Sequence, residues 1–441
     1  MKTNPLLLLI CILLAGTSLA IAQPQIEYFP TIKSRHQQIN QFTDVFISSP
    51  VDNQILSDVA ADFPFTGATV NRYFEFDPTL YTYGYYRQIS LVDAATTIME
   101  PGRAYVLQWG GVPGEIGDVR VDNCVQDYSS GGDDNENDIT VDMLNGRFNL
   151  IGNPYLGFLD ADAFLLDADN ADKVTGPIRL WGHNTLVSEA NVNPLDSNAF
   201  RFSANDFALY NVMGGVAAGR WINVSDENTT YTGVETSNGF LGFGTGFLIK
   251  GIADDVVTFK ESMIAPDNGG ADQSFRNIAN QTGDRNNNQT ESLPPPPPEK
   301  SRIWVNLEQG TIPTLGTNTN QLKQILVGYT QCFGSECATD DDNDRVFDAE
   351  VVTAQSAPKI EFYSLKDSIS TKQLAIQGRN VADFSGYDYF QLGFKVTDAG
   401  SYTFTATSDG IFGPGIKDYY ISDNGVLHEA LCSVFFRLGW C

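Results

Sequence analysis

Apolar and polar positions alternate in short bursts along most of this chain, and one pair of bursts occurs twice. Phe46-Ile47-Ser48-Ser49-Pro50-Val51 is echoed by Leu150-Ile151-Gly152-Asn153-Pro154-Tyr155, and Gly102-Arg103-Ala104-Tyr105-Val106-Leu107 by Gly244-Thr245-Gly246-Phe247-Leu248-Ile249. In both copies an apolar strand ends at a proline, and a strand opened by glycine follows later. That shared order predicts one β-module used twice. Tyr81, Tyr83 and Tyr85 fall on one face of a strand at period two, while Val256 to Phe259 and Phe247 to Ile249 read as buried strands broken by Gly251 and Asp254-Asp255. One short helix is predicted over Asp160 to Leu166, capped by Asp160, with Phe164 and Leu165 packing back on the sheet.

The pattern breaks between Pro266 and Lys300, where Asn286-Asn287-Asn288 and the run Pro294 to Pro298 read as a stiff, extended spacer without ladder hydrogen bonds. Beyond it, alternation predicts seven strands, at Ile303–Leu307, Gln324–Thr330, Ile360–Leu365, Gln373–Gln377, Phe390–Val396, Ser401–Thr407 and Asp418–Ser422. Seven is the number expected of a sandwich. The fold class is therefore all-β: two tandem β-sandwich-like modules over 40–265, a linker over 266–300, and a separate C-terminal β-sandwich, immunoglobulin-like or jelly-roll-like, over 301–425. Residues 23–39 read as an N-terminal extension.

Residues 1–22 read as a signal peptide, with Lys2 as the basic region, Leu6 to Leu14 as the apolar run and Ala20-Ile21-Ala22 as the cleavage site. The run is well short of the roughly 20 residues that span a bilayer. The expected location is extracellular or on the cell surface, without a transmembrane segment after cleavage. With 27 basic against 54 acidic residues the formal charge is −27, a field that repels nucleic acid and anionic membrane and attracts cations. Nucleic-acid partners are excluded on that ground. Cys124, Cys332, Cys337, Cys432 and Cys441 follow the signal peptide, an odd count that cannot pair fully within one molecule. Cys332 and Cys337 are spaced to close a small loop by a disulfide, the alternative being two free thiols.

Several of these segments carry a resemblance. Asn149 to Tyr155, Asp162-Ala163-Phe164-Leu165, Ile178-Arg179-Leu180-Trp181, Met213-Gly214-Gly215-Val216, Gly244-Thr245-Gly246-Phe247 and Val257 to Met263 resemble the "NLIGNPY" region of large secreted proteins of the Bacteroidetes. Arg302 to Leu307, Val327-Gly328-Tyr329, Phe347 to Glu350 and Leu374 to Gly378 continue the pattern in order. The resemblance implies an exported, adhesin-like surface protein of a family often exported by type IX secretion, with no defined enzymatic activity. The stretch 426–441, with Cys432, Phe435, Phe436, Trp440 and Cys441, departs from the family and reads as an atypical, truncated or frameshifted tail in which the family's C-terminal sorting domain is not recognisable.

Candidate chemistry is sparse. Acidic loops at Asp133–Asp138, at Asp167, Asp169 and Asp172, and at Asp340 to Glu350 offer the hard oxygen ligands that Ca²⁺ takes. Asp340, Asp342 and Asp344 are the positions where Ca²⁺ would sit; Arg345 and Val351 break the EF-hand pattern, and the competing reading is a solvated acidic turn. Tyr81, Tyr83, Tyr85, Trp109, Trp181 and Trp221 are candidate sugar-stacking platforms or core residues, and Gly-flanked Trp109 is the candidate ligand-binding residue. There is no Gly-x-Ser-x-Gly elbow and no His-Glu-x-x-His pair, and His36, His183 and His428 are the only histidines. The expected function is a structural or adhesin-like surface protein without catalytic activity, meeting extracellular glycans or cell-surface components. The alternatives are a carbohydrate-binding module for polysaccharide capture and an extracellular hydrolase.

Overall fold

This computed structural model describes residues 34–40, 44–60, 72–80, 84–108, 120–181, 207–218, 220–223, 237–265, 300–309, 319–339, 344–351, 360–366, 372–384, 388–397, 401–410, 420–423, 426–429 and 434–437. The fold is all-β. Among the described residues the α-helices are two short ones, Leu91–Ala94 and Ala161–Leu166.

Each sequence repeat builds a sheet of the same strand order. The first runs Asp44–Ser48, Ala104–Gln108, Arg72–Asp77, Tyr85–Ile89, and the second runs Phe148–Gly152, Gly246–Gly251, Val174–Trp181, Phe207–Asn211, Gly214–Val216. The repeated strands pair in the same register. Ile47 opposes Tyr105 and Ser48 opposes Ala104, just as Ile151 opposes Phe247 and Gly152 opposes Gly246. Gly102 and Gly244, the equivalent residues before the second strand, both have positive φ (79° and 68°), which only glycine adopts without strain. Before each proline the side chain closes a turn on the backbone two residues on: Val51 N–H donates to Ser49 Oγ, and Tyr155 N–H donates to Asn153 Oδ1. The expected helix follows in the second copy, where Asp160 Oδ1 accepts from the N–H groups of Asp162 and Ala163 and fixes the first turn.

Period-two alternation splits these strands between two cores. Val45, Ile47, Tyr105 and Leu107 face a cluster of the first repeat, while Ile151, Phe247 and Ile249 face a cluster of the second. Phe46, Ala104, Val106, Leu150 and Leu248 point the other way, into a layer shared by both sheets with Trp181. The two repeats are therefore halves of one sandwich. They meet as a near-symmetric pair. Ser48 N–H donates to Gly244 O at 3.0 Å and the equivalent Gly152 N–H donates to Gly102 O at 2.9 Å. The bridges Ile47 to Thr245 and Ile151 to Arg103 exchange in the same way. Equivalent residues touch where such a pair has its axis: a Cβ on Gly152 would lie 2.5 Å from Ser48 Cβ, and one on Gly246 would lie 2.7 Å from Ala104 Cβ. Small residues are required there because the two backbones approach closely.

All seven strands expected after the linker are present, most of them in one nine-stranded sheet. Seven of its strands run in the order Gln391–Val396, Ile360–Leu365, Leu374–Asn380, Thr319–Thr330, Lys300–Gln309, Ser401–Ser408, Val434–Arg437; Arg220–Asn223 and Ala349–Glu350 pair off that path with Thr319–Thr330 and Leu374–Asn380. The seventh, Tyr420–Asp423, pairs with Val426–Glu429 instead. Val305, Leu307, Ile325, Phe362, Tyr402 and Phe404 fill one side of the nine-stranded sheet. The other side is not a separate body. Leu326, Phe347, Ala349 and Ile376 belong to the core of the second repeat, and Arg220–Asn223, from before the linker, pairs with the strand Thr319–Thr330. The strand Val434–Arg437, from the stretch that reads as an atypical tail, pairs with Ser401–Ser408.

Candidate functional site

A run of buried charged side chains lies along the seam between the second repeat and the nine-stranded sheet. Asp162 sits in the first turn of the helix Ala161–Leu166, where the Asp160 cap sets its direction. Its Oδ2 lies 2.9 Å from Lys300 Nζ, and its Oδ1 accepts from Tyr210 OH at 2.9 Å. Burial raises the Asp162 carboxyl above its ordinary range despite the Lys300 ammonium, and burial together with Asp162 pushes the Tyr210 phenol well up. The Lys300 ammonium also stands 5.4 Å above the ring of Phe333.

Phe333 lies in the loop closed by Cys332 and Cys337, which are joined by a disulfide with Cα atoms 4.2 Å apart. Phe333 and Glu336 exchange backbone hydrogen bonds across that loop. Next along the seam, the Arg345 guanidinium donates from Nη1 to Leu165 O and Val174 O, both at 3.3 Å, while Gly176 N–H donates to Arg345 O at 2.7 Å. The seam ends at a second buried pair, Lys366 Nζ and Asp348 Oδ2, 2.7 Å apart with both side chains 6% exposed. Burial pushes the Asp348 carboxyl up to about 7, with Lys366 opposing the shift.

One unit thus spans both sides of the linker, and a family model matches residues 29–429. The chain belongs to the family described as a domain of unknown function, DUF8693. No curated protein and no solved structure matches this member of DUF8693.

Of the expected site residues in this DUF8693 chain, Asp340, Asp342 and Trp109 lie outside the described residues. Asp344 is described, and its carboxylate accepts the Thr339 N–H. Among the described residues no three His, Cys, Asp or Glu side chains gather around one point. The other acidic loops are tied into the frame. Asn135 N–H donates to Pro50 O at 3.2 Å and its Nδ2 donates to Pro154 O at 2.8 Å, so one residue clasps the equivalent turns of both repeats. Asp167 and Asp169 share the Lys260 ammonium, at 2.8 and 2.7 Å.

Trp181 is core, its ring 4.8 Å from Phe207 and 5.9 Å from Phe46. Tyr85 is half-buried on an edge strand; Tyr81, Tyr83 and the side chain of Trp221 lie outside the description. Sequence reasoning missed Asp162, Tyr210, Lys300, Asp348 and Lys366 as functional positions. The Asp162–Lys300 pair joins residues 138 apart, and no local pattern marks such a contact.

Proposed function

We infer that this DUF8693 protein is an exported, adhesin-like structural protein of the cell surface that works without catalysis. The observation that carries this reading is the reciprocal bonding of the two repeats, together with buried polar side chains that join one element to another. Asn135 clasps two turns, Asn153 donates to Gly157 O and Leu241 O, Asn170 donates to Phe164 O and Thr258 O, and Tyr155 OH donates to Phe259 O. A frame built this way presents loops from a rigid body. The apolar run at residues 6–14 and the charge of −27 support export and an acidic outer face. The partner class is extracellular glycans or other cell-surface components.

The test is to apply the full-length protein to a glycan array, to whole cells and to abiotic surfaces, with Ca²⁺ or chelator, beside a polysaccharide and peptide hydrolysis panel. Retention on cells or surfaces without released products is the expected result. Sugar-dependent retention lost in Trp109→Ala would assign the protein to polysaccharide capture instead. Product release from the panel would overturn the non-catalytic reading.

A further inference from the structure

The pair Lys366 and Asp348 is held in a way that an ordinary ion pair does not require. Lys366 follows the strand Ile360–Leu365, and Asp348 precedes the strand Ala349–Glu350. Both strands pair with Leu374–Asn380, so the two side chains meet above one sheet. The two oxygens of Asp348 have different surroundings. Oδ1 accepts the Gly378 N–H at 3.2 Å, whereas Oδ2 lies 2.7 Å from Lys366 Nζ. Lys366 Nζ donates to Thr339 O at 2.9 Å, which fixes the direction from which the amine approaches.

We propose that Lys366 and Asp348 condense to an intramolecular isopeptide bond, a covalent cross-link between the two strands that flank Leu374–Asn380. Proton transfer within the pair converts ammonium and carboxylate to amine and carboxylic acid. Nζ then attacks Cγ of Asp348, and the C–Oδ2 bond breaks. Oδ2 leaves as water, taking its acid proton and one proton from the nitrogen. Oδ1 stays as the amide oxygen, and the Gly378 N–H that holds it is placed to stabilise the negative charge that develops there during attack.

Three physical conditions favour the step. Burial of both groups penalises the ionised pair relative to the neutral one, and it lifts the Asp348 carboxyl to a range where a substantial share carries its proton near neutrality. Fixed approach replaces a bimolecular encounter, which raises effective concentration by many orders of magnitude. A neutral amide then takes the place of two buried charges, and this relieves their desolvation.

The test is mass spectrometry of the purified full-length protein, reduced so that the disulfide does not contribute. The expected result is a wild-type mass lower than its sequence by one water, and a branched tryptic peptide joining Lys366 to Asp348 with no cleavage after Lys366. Lys366→Arg and Asp348→Ala should both return to the sequence mass. Linear peptides carrying unmodified Lys366 and Asp348 from wild-type protein that unfolds cooperatively would overturn the proposal. So would an equal loss of water in wild type and both variants, which would place the dehydration elsewhere.

Discussion

Exchanging Ser48 and Gly152 tests whether the two repeats meet as equivalents. In Gly152→Ser alone, the new Cβ would lie 2.5 Å from Ser48 Cβ and 2.8 Å from Thr245 O, whereas carbon atoms pack at about 3.5–4.0 Å. Neither neighbour is the free end of a flexible side chain, so the substitution should destabilise by about 1–3 kcal/mol. Ser48→Gly alone removes the 2.9 Å bond from Ser48 Oγ to Arg103 O, a loss of about 0.5–1.5 kcal/mol, and adds about 0.5–1 kcal/mol of backbone entropy. Independent sites would give the sum, roughly 2–5 kcal/mol. In the double variant the contact with Ser48 Cβ, the shortest of the overlaps, is gone, while the 2.8 Å approach to Thr245 O remains. The double variant should therefore lose less than the sum, with a coupling of about 1 kcal/mol between the two changes. Denaturant unfolding of the four proteins, with midpoints compared at equal slope, measures this. A double variant that loses the full sum, or more, would refute the equivalence.

Phe46→Ala should cost about 3–5 kcal/mol, because Phe46 fills the layer between the two sheets against Trp181, Phe207 and Tyr86; a midpoint unchanged in the same assay would count against that layer. Removing the disulfide by Cys332→Ser with Cys337→Ser should lower stability by about 2 kcal/mol, the loop entropy of so short a closure, read as a lower melting temperature. Trp304→Phe should cost about 1 kcal/mol through loss of the Nε1–H bond to Gly215 O, checked by denaturant unfolding. Burial raises the Asp162 carboxyl above the ordinary aspartate range in the folded state, so the native protein binds the extra proton between the ordinary and the raised value. Its contribution is present below that range and lost as pH rises through it. The stability of wild type relative to Asp162→Asn should therefore fall as pH is raised from about 4, and a difference that grows with pH would contradict the assignment.

The β-character was legible because period-two alternation carries over from sequence to strand: Ser401–Ser408 buries Tyr402 and Phe404, and Phe247 to Ile249 are buried on both faces, as read. The Asp160 cap was legible for the same local reason. Val256 to Phe259 came out half-buried, with only Val257 and Phe259 inside, since the two-stranded sheet it forms with Ile139–Met143 turns just one face to the core. The shared core across the linker was not legible, because Leu326, Phe347 and Ile376 read equally well as the inside of a self-contained sandwich; only their packing on the second repeat distinguishes the two. The seam was invisible for a related reason. Each of Asp162, Tyr210, Lys300, Asp348 and Lys366 looks like an ordinary surface or strand residue until distant segments are brought together.

Because the strands on either side of residues 266–299 share one apolar interior and one hydrogen-bonded ladder, a protease that cut within that stretch would leave a two-piece molecule that still sediments as one. Neither piece made on its own would have a finished surface: each would expose the apolar face that the other covers, and would aggregate unless its counterpart were supplied during refolding.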